Sequence, residues 1–285
     1  MVDLNQLLIQ MQNIAPNKQC VNFLINRIQS DSYRQIHISQ HNRYTQYEVF
    51  IILKEIYNLV RLEPMQIRTE DLSKRPLNIV GEEKYTKLTD NIRSKLGRCT
   101  QDSLRKNFFV DFHRMGFLHR FDDSQNPIPL FHRAHIIKYI SLTETANRFL
   151  NADDFTKIDI YETALMTLGN QFFADLYEII ADLGSLSQDE LMLFGTFLNQ
   201  SFDNGVTIWR RNEIIELVKD FRTLTPNQQN GLIDCIQTYC NPTNFDGSKV
   251  DMRDFHNWLN QTQQIWCLLS QMPNFQVSNN CLYIN

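Results

Sequence analysis

Between Thr100 and Phe121 the sequence reads TQDSLRKNFFVDFHRMGFLHRF, and its apolar period changes partway along. Advancing ~100° per residue, Leu104, Phe108, Phe112 and Met115 gather in one arc of a helix. Ser103, Lys106, Asn107, His113 and Arg114 fall on the other side with Val110, and Arg105 lies at the apolar edge, where its stem can snorkel. Gly116 stops the pattern. FLHRF (117–121), the turn-rich DDSQNPIP (122–129) and LFHRAHIIKYISL (130–142) then predict a β-hairpin with a long tip. TETANRFLN (143–151) returns to helix. Upstream, QYEVFIILKEIYNLVRL (46–62) predicts a helix closed by Pro64, RTEDLSKRPL a short helix and turn ending before Pro76, and EEKYTKLTDNIRSKLGR (82–98) a further helix with Gly97 near its end. Helix, short helix, amphipathic helix, hairpin, helix is the order of a winged helix-turn-helix.

The chain has 285 residues, which at ~100–200 residues per domain suggests two. The first forty residues read as helical, with Leu4, Leu7, Leu8, Met11 and Ile14 on one face. From residue 152 the pattern is almost entirely helical: SQDELMLFGTFLNQ opens on a capping-box spacing, Ser187-x-x-Glu190, and RRNEIIELVKDFRTL and TPNQQNGLIDCIQTYC follow. After the loop NPTNFDGSK (241–249), DMRDFHNWLNQTQQIWCLLSQ (251–271) is a long helix, and NFQVSNNCLYIN (274–285) is two short strands around Ser278-Asn279-Asn280. The expected fold is therefore mainly α, with two winged-helix-type subdomains bearing short β-hairpin wings. Residues 1–151 form the amino-terminal one, and residues 152–285 a helical subdomain ending in a second winged-helix-like unit.

A net charge of −4 excludes a uniformly basic nucleic-acid binder but not a basic face. Seven Lys/Arg residues (93, 95, 98, 105, 106, 114, 120) against two acids (102, 111) give +5 between Asn91 and Arg120. Such local charge suits phosphate positioning on double-stranded DNA. Lys106, Asn107 and Arg114 face outward for a major groove, Ser103 lies near the helix start, and Arg98, Arg120 and Arg133 are candidates for backbone contacts. The plain alternative is a solvated basic face. On the wheel of 251–271, Phe255, Trp258, Leu259, Ile265, Trp266 and Leu269 share one arc, and Arg253, His256, Asn257, Asn260, Gln261 and Gln264 face away. Asn and Gln can bond adenine at two points and Arg guanine, so this face, with Asn279 and Asn280 on a wing, is a candidate for reading base edges. Taken alone, the face is better explained as a polar surface in an Asn/Gln-rich chain.

Signals for catalysis are thin. The element nearest to a nuclease is DLSKRPLNIVGEEK, where Asp71 precedes a short apolar run and then Glu82-x-Lys84; carboxylates and a lysine at a strand end can hold Mg²⁺ and orient water. The run is short, Glu82 reads as a helix start, and the spacing arises easily by chance, so no catalytic residue is assigned. His113, His119, His132 and His135 match no zinc spacing, and the six cysteines include no C-x-x-C pair, so no metal site is expected. No P-loop, nucleophile elbow or Gly-rich dinucleotide turn is present. MVDLNQLLIQMQNI is not a basic leader with an apolar core and no apolar run approaches a membrane span, so a reducing cytoplasm is the expected setting.

RDFHNWLNQTQQIWCLLSQMPNFQVSNNCLYIN resembles the closing segment of recognition regions in type IIS restriction and nicking endonucleases, of the FokI-like and AlwI-like kind. SLRKNFFVDFHRMGFLHRF and SLTETANRFL resemble their amino-terminal winged helix, and the likeness spans most of 46–151 and 187–285 as a pattern. The resemblance implies winged helices packed around a short asymmetric site and a separate nuclease domain, usually of the PD-(D/E)xK type, that cuts at a distance. The chain stops at Asn285, about where a linker to such a nuclease would begin. The expectation is a recognition fragment or DNA-binding subunit that binds without cutting, holds no cofactor itself, and works with a nuclease domain or subunit that uses Mg²⁺. The rival readings are a winged-helix transcriptional regulator, which would dimerise on a near-palindrome, a helical interaction scaffold, and a self-contained Mg²⁺-dependent endonuclease.

Overall fold

In this computed structural model the described residues are 4–30, 43–67, 79–130, 138–202, 208–240 and 252–285. They are mainly helical, with two small antiparallel sheets of three strands each. None of their helices is long and apolar enough to cross a membrane. They form two compact units, one of residues 37–170 and one of residues 1–36 with 171–285. This division interleaves the chain, where the sequence reading cuts it once, between 151 and 152.

The chain opens with α1 (Leu4–Ile14) and α2 (Gln19–Gln29), which belong with the carboxyl-terminal helices described below. The first described helix of the unit of residues 37–170 starts at Thr45, whose hydroxyl accepts the Glu48 N–H while its own N–H donates to the Glu48 carboxylate at 2.8 Å. That reciprocal cap starts α3 (Gln46–Val60), which buries Val49, Ile52, Leu53, Ile56 and Val60 along one stripe. A two-residue strand, β1 (Met65–Gln66), comes next, then α4 (Ile79–Leu96), which inserts Tyr85, Leu88 and Ile92. Asn91 and Lys95 of α4 both bond the buried carboxylate of Glu55 on α3, satisfying a charge that would be costly alone.

Next come α5 (Gln101–Ser103), one π turn over Leu104–Phe108, and α6 (Phe109–Arg114), a single continuous helical segment. Gly116, at φ +78°, lets the chain leave α6 in a left-handed step. Strands β2 (Leu118–Phe121) and β3 (Tyr139–Leu142) then pair antiparallel, Leu118 with Leu142 and Arg120 with Ile140. β1 joins the far side of β3, so the sheet order is β1-β3-β2. Thr143 caps α7 (Glu144–Asn151) by accepting from Ala146 N–H and also donates to the Gly116 carbonyl at 2.6 Å. α8 (Asp154–Gly169) packs on α6 and α7, with Tyr161 stacked 6.3 Å from Phe149. The chain therefore continues this unit's core beyond residue 151.

In the other unit α9 (Gln171–Leu183) leads to β4 (Leu186–Ser187) and α10 (Gln188–Leu193), whose capping box is the predicted Ser187/Glu190 pair. A 3₁₀ turn at Gly195–Phe197 precedes α11 (Arg211–Arg222) and α12 (Pro226–Cys240). α13 (Met252–Leu269) and the hairpin β5 (Phe275–Ser278) and β6 (Cys281–Ile284) close the unit, with sheet order β4-β6-β5. α1 packs on α12 and α2 on α11. The α2 entry is pinned by Asp220, which accepts from Cys20 N–H at 2.9 Å and Lys18 Nζ at 3.1 Å.

Candidate nucleic-acid interface

Thr100 starts the segment 101–114 with a capping box in which Ser103 Oγ accepts from Thr100 N–H at 3.0 Å and donates to the Thr100 carbonyl at 2.9 Å. The Ser103 hydroxyl is thus spent on the helix start. The π turn then decides which residues face out. Phe109 N–H bonds the Leu104 carbonyl five residues back, so one extra residue enters the turn and everything after it rotates. Phe108 and Phe109 both become buried, and Asp111 and His113 turn inward. The outward place expected for His113 is corrected accordingly: it is 5% exposed and its Nδ1 lies 2.8 Å from the Leu118 carbonyl.

Lys106 remains on the surface, and its ammonium sits 2.7 Å from Asp102, which also holds Arg105 at 3.1 Å. Slight burial alone would raise the Asp102 carboxyl, but the hydrogen bonds from Lys106 and Arg105 outweigh it and hold it below the usual range. Asn107 is half-buried beside them. Arg114 keeps only 11% of its side chain exposed, 3.9 Å from buried Asp111, which in turn accepts from the Tyr44 hydroxyl at 3.2 Å. Arg98 bonds Glu48 and the Arg43 carbonyl, each at 2.6 Å. The charge expected from composition is present, but much of it is already paired within the unit.

On β2, Leu118 and Arg120 point inward and His119 outward, as period-two alternation requires. Arg120, a candidate for backbone contact, is 5% exposed and its Nε has no hydrogen-bond partner, so it stands at a buried, inward position and not on the open face of the strand. At the hairpin tip, Asp122 accepts from Ser124 N–H at 3.0 Å and Asn126 N–H at 2.8 Å, a local turn that keeps the tip in shape. Arg133 lies outside the described residues.

In the carboxyl-terminal unit α13 has a wider buried face than the sequence wheel allows. Trp258 donates to the Met192 carbonyl at 2.6 Å, and Gln261, Thr262, Gln264, Ile265, Leu268 and Leu269 are buried with it. The helix packs on both α10 and α12, and two packing partners need two stripes. Gln261 and Gln264 are therefore corrected from the solvent face to the interior; neither amide atom of Gln264 has a hydrogen-bond partner. Asn260 and Gln263 are half-buried at the opening of the helix surface. Arg253, His256 and Asn257 fall within α13. Asn279 and Asn280 form the exposed tip of the β5–β6 hairpin, both at positive φ (49° and 59°).

The nuclease-like stretch takes another form. Ile79 and Val80, expected as strand, are the first turn of α4, and Glu82 and exposed Lys84 follow on that same helix; Asp71 lies outside the described residues. Without a strand end, the geometry that motivated those three residues is lost. Sequence reading missed Asp102 as the clamp on Lys106, although its i,i+4 spacing showed it, and missed the inward direction of Arg120, although strand alternation with Leu118 showed that too.

No curated protein sequence matches the chain. Residues 45–153 match the family model of the type IIS restriction enzyme MboII middle domain. The match runs from the Thr45 cap of α3 to the Asp153 cap of α8, and so takes in the whole order of helix, strand, helices, hairpin and helix, though less than half of the chain. This similarity supports a place for the chain among components of type IIS restriction enzymes.

Proposed function

We propose that this chain is the sequence-reading part of a type IIS restriction endonuclease. It binds double-stranded DNA through winged-helix units, and the nuclease site and its Mg²⁺ belong to another domain or subunit. The observation that carries the reading is the unit of residues 37–170. Its segment 101–114 runs directly into an antiparallel hairpin, in a sheet ordered β1-β3-β2, within the span similar to a restriction-enzyme middle domain. A helix followed at once by a two-stranded wing is a shape that lays the helix in a major groove and the wing on the flanking backbone. The second sheet repeats the same permutation, β4-β6-β5, with its hairpin β5–β6 directly after α13, which supports a second, wing-bearing reader. In this reading Lys106 and Asn107 meet the duplex from segment 101–114, with Arg114 behind them. Arg253, His256, Asn257 and Asn260, joined by Gln263, meet it from α13, and Asn279 and Asn280 from the second wing.

The test is selection from a randomised duplex pool in the presence of Mg²⁺, with cleavage read in the same tube. Enrichment of a short asymmetric site without cutting is the expected result. No enrichment at moderate salt counts against the reading, because one mismatched pair should cost ~1–3 kcal/mol. Cutting by the purified chain would move the nuclease site into it.

A further inference from the structure

We propose that Arg120 forms the floor of an anion seat in the unit of residues 37–170, built to take one backbone phosphate of a bound duplex. The proposal rests on the DNA-reading function above and adds a specific contact to it.

The argument begins with charge. Arg120 is 5% exposed and its Nε is buried without a hydrogen-bond partner. Among the described residues no carboxylate pairs with it. The charged group that acts on it is another arginine, Arg114. Arg114 lies 3.9 Å from Asp111, so that couple is close to neutral and, among the described residues, no acid is left to compensate Arg120. Burial first, and Arg114 second, push the Arg120 guanidinium down to about 10. Its other titratable neighbour, His113, offers no negative charge either. Burial holds that imidazole below its ordinary range, repulsion from Arg120 adds to the effect, and the carbonyls of Leu118, Pro129 and Ile128 oppose it.

Direction comes next. Arg120 stands on the edge strand of its sheet, inward beside Leu118, where α6 packs on β2. An apolar side chain at an inward strand position would add stability, whereas a lone buried cation costs it. Such a cost is offset when an anion arrives, and a guanidinium fork fits a phosphate oxygen pair in its own plane. The seat lies between the helix and the hairpin that the reading above sets against DNA, so a duplex phosphodiester is the source proposed, and free phosphate is the alternative source of the same chemistry.

The contrast with Arg27 shows what an arginine of structural role looks like in this protein. Arg27 is fully buried as well, but it donates to the carbonyls of Met192 and Leu193 (3.1 and 2.8 Å) and to Thr196 Oγ1 (2.7 Å), and stacks 3.8 Å over Trp258. Arg120 has no comparable set.

The experiment uses the full chain, wild type and the variants Arg120→Met and Arg120→Lys. Thermal unfolding is measured in inorganic phosphate against chloride at equal ionic strength, and duplex binding is measured across a salt series. The expected result has three parts. Arg120→Met melts higher than wild type in chloride, phosphate raises the Tm of wild type but not of Arg120→Met, and the slope of log K against log salt falls by about one unit in Arg120→Met. Arg120→Lys keeps most of the slope with weaker binding. If Arg120→Met melts lower in chloride and keeps the wild-type slope, the residue is a packing arginine and the seat is overturned. Duplex binding with an unchanged slope in both variants leaves the DNA reading standing and removes the seat. Phosphate stabilisation of wild type alone, without duplex binding, keeps an anion seat and overturns its assignment to DNA. Should Arg120→Met not fold, the Arg120→Lys slope and the wild-type response to phosphate decide in the same way.

Discussion

Asp102 restrains Lys106, one of the cations on which the DNA reading depends, together with Arg105 beside it. One carboxylate, 29% exposed, engages Lys106 at 2.7 Å and Arg105 at 3.1 Å. Replacing it with Asn removes one negative charge and releases both partners toward solvent. Asp102→Asn is therefore expected to tighten non-specific duplex binding and to steepen its salt dependence by about one unit, at a stability cost of at most ~1 kcal/mol, since exposed pairs contribute little. Salt titration of duplex affinity reads the first effect and urea unfolding the second; a shallower slope would mean that Lys106 does not face DNA. The carboxyl is held low in the folded chain, so this pairing is fully present above the unfolded value and is lost only as pH falls through the lower folded one. Arg27 calls for the opposite expectation. Arg27→Met strips donors from two carbonyls and a hydroxyl in a sealed interior, and stability should fall by ~3 kcal/mol or more. Chemical denaturation of the variant measures it, and a loss under 1 kcal/mol, roughly one ordinary hydrogen bond, would show that water replaces the guanidinium. At this scale the sequence reading identified the surface cations and missed their partners. A helical wheel reports direction, while pairing depends on rotamers that only packing selects.

Two elements account for most of the distance between sequence and structure. Segment 101–114 was legible as a helix from its apolar period, but the π turn at Leu104–Phe108 was not, because an extra residue in one turn leaves composition and approximate spacing intact. Its consequence is large: Asp111 and His113 rotate inward and supply the buried partners of Arg114 and Leu118. α13 differed for another reason. Its apolar stripe holds at Trp258 and Ile265, yet contact with both α10 and α12 buries Gln261 and Gln264 as well. Polar residue type alone does not show that a helix is enclosed from two sides. The terminal hairpin, by contrast, was readable in full from Ser278-Asn279-Asn280. Both central residues take positive φ, the signature of a type I′ turn, where Asn and Gly are tolerated and branched or alanine side chains are strained. Asn279→Ala and Asn280→Ala should each lower stability by ~1 kcal/mol, and Asn280→Gly should leave it unchanged or raise it. Thermal unfolding separates these, and equal stability in all three variants would mean the tip adopts another turn. If the wing also touches DNA, Asn280→Gly weakens duplex binding while keeping the fold, which detaches the two roles of one residue.

At the scale of the whole molecule the helix content and both hairpins follow from periodicity, but the partition of the chain does not. α1 and α2 precede the unit of residues 37–170 in sequence and belong to the other unit, through Leu7 and Met11 on α1 and the Lys18–Asp220 and Cys20–Asp220 bonds at the start of α2. Such long-range closure leaves no local mark, since a helix pattern shows which face is apolar and not what covers it. The compact units divide near residue 170 and not at the expected 151 for the same reason. The expectation there came from a change of composition, whereas Tyr161, Ala164, Leu165 and Leu168 of α8 complete the interior built by α6 and α7. A fragment of residues 37–170 should consequently unfold in one cooperative transition, because α3, α4, α6, α7 and α8 are linked by mutual packing within it. A fragment of residues 1–151 carries α1 and α2 without the helices they cover and exposes the α6–α7 surface that α8 seals. It should show helical circular dichroism with a broad, low-cooperativity transition and should bind a hydrophobic dye. Calorimetry of the two fragments checks this directly. Equal cooperativity in both would mean that α8 is dispensable and that the chain does divide once at residue 151; a sharp transition in residues 37–170 alone would fix the smallest piece on which the basic helix, its π turn and the Arg120 seat can be tested apart from the rest of the chain.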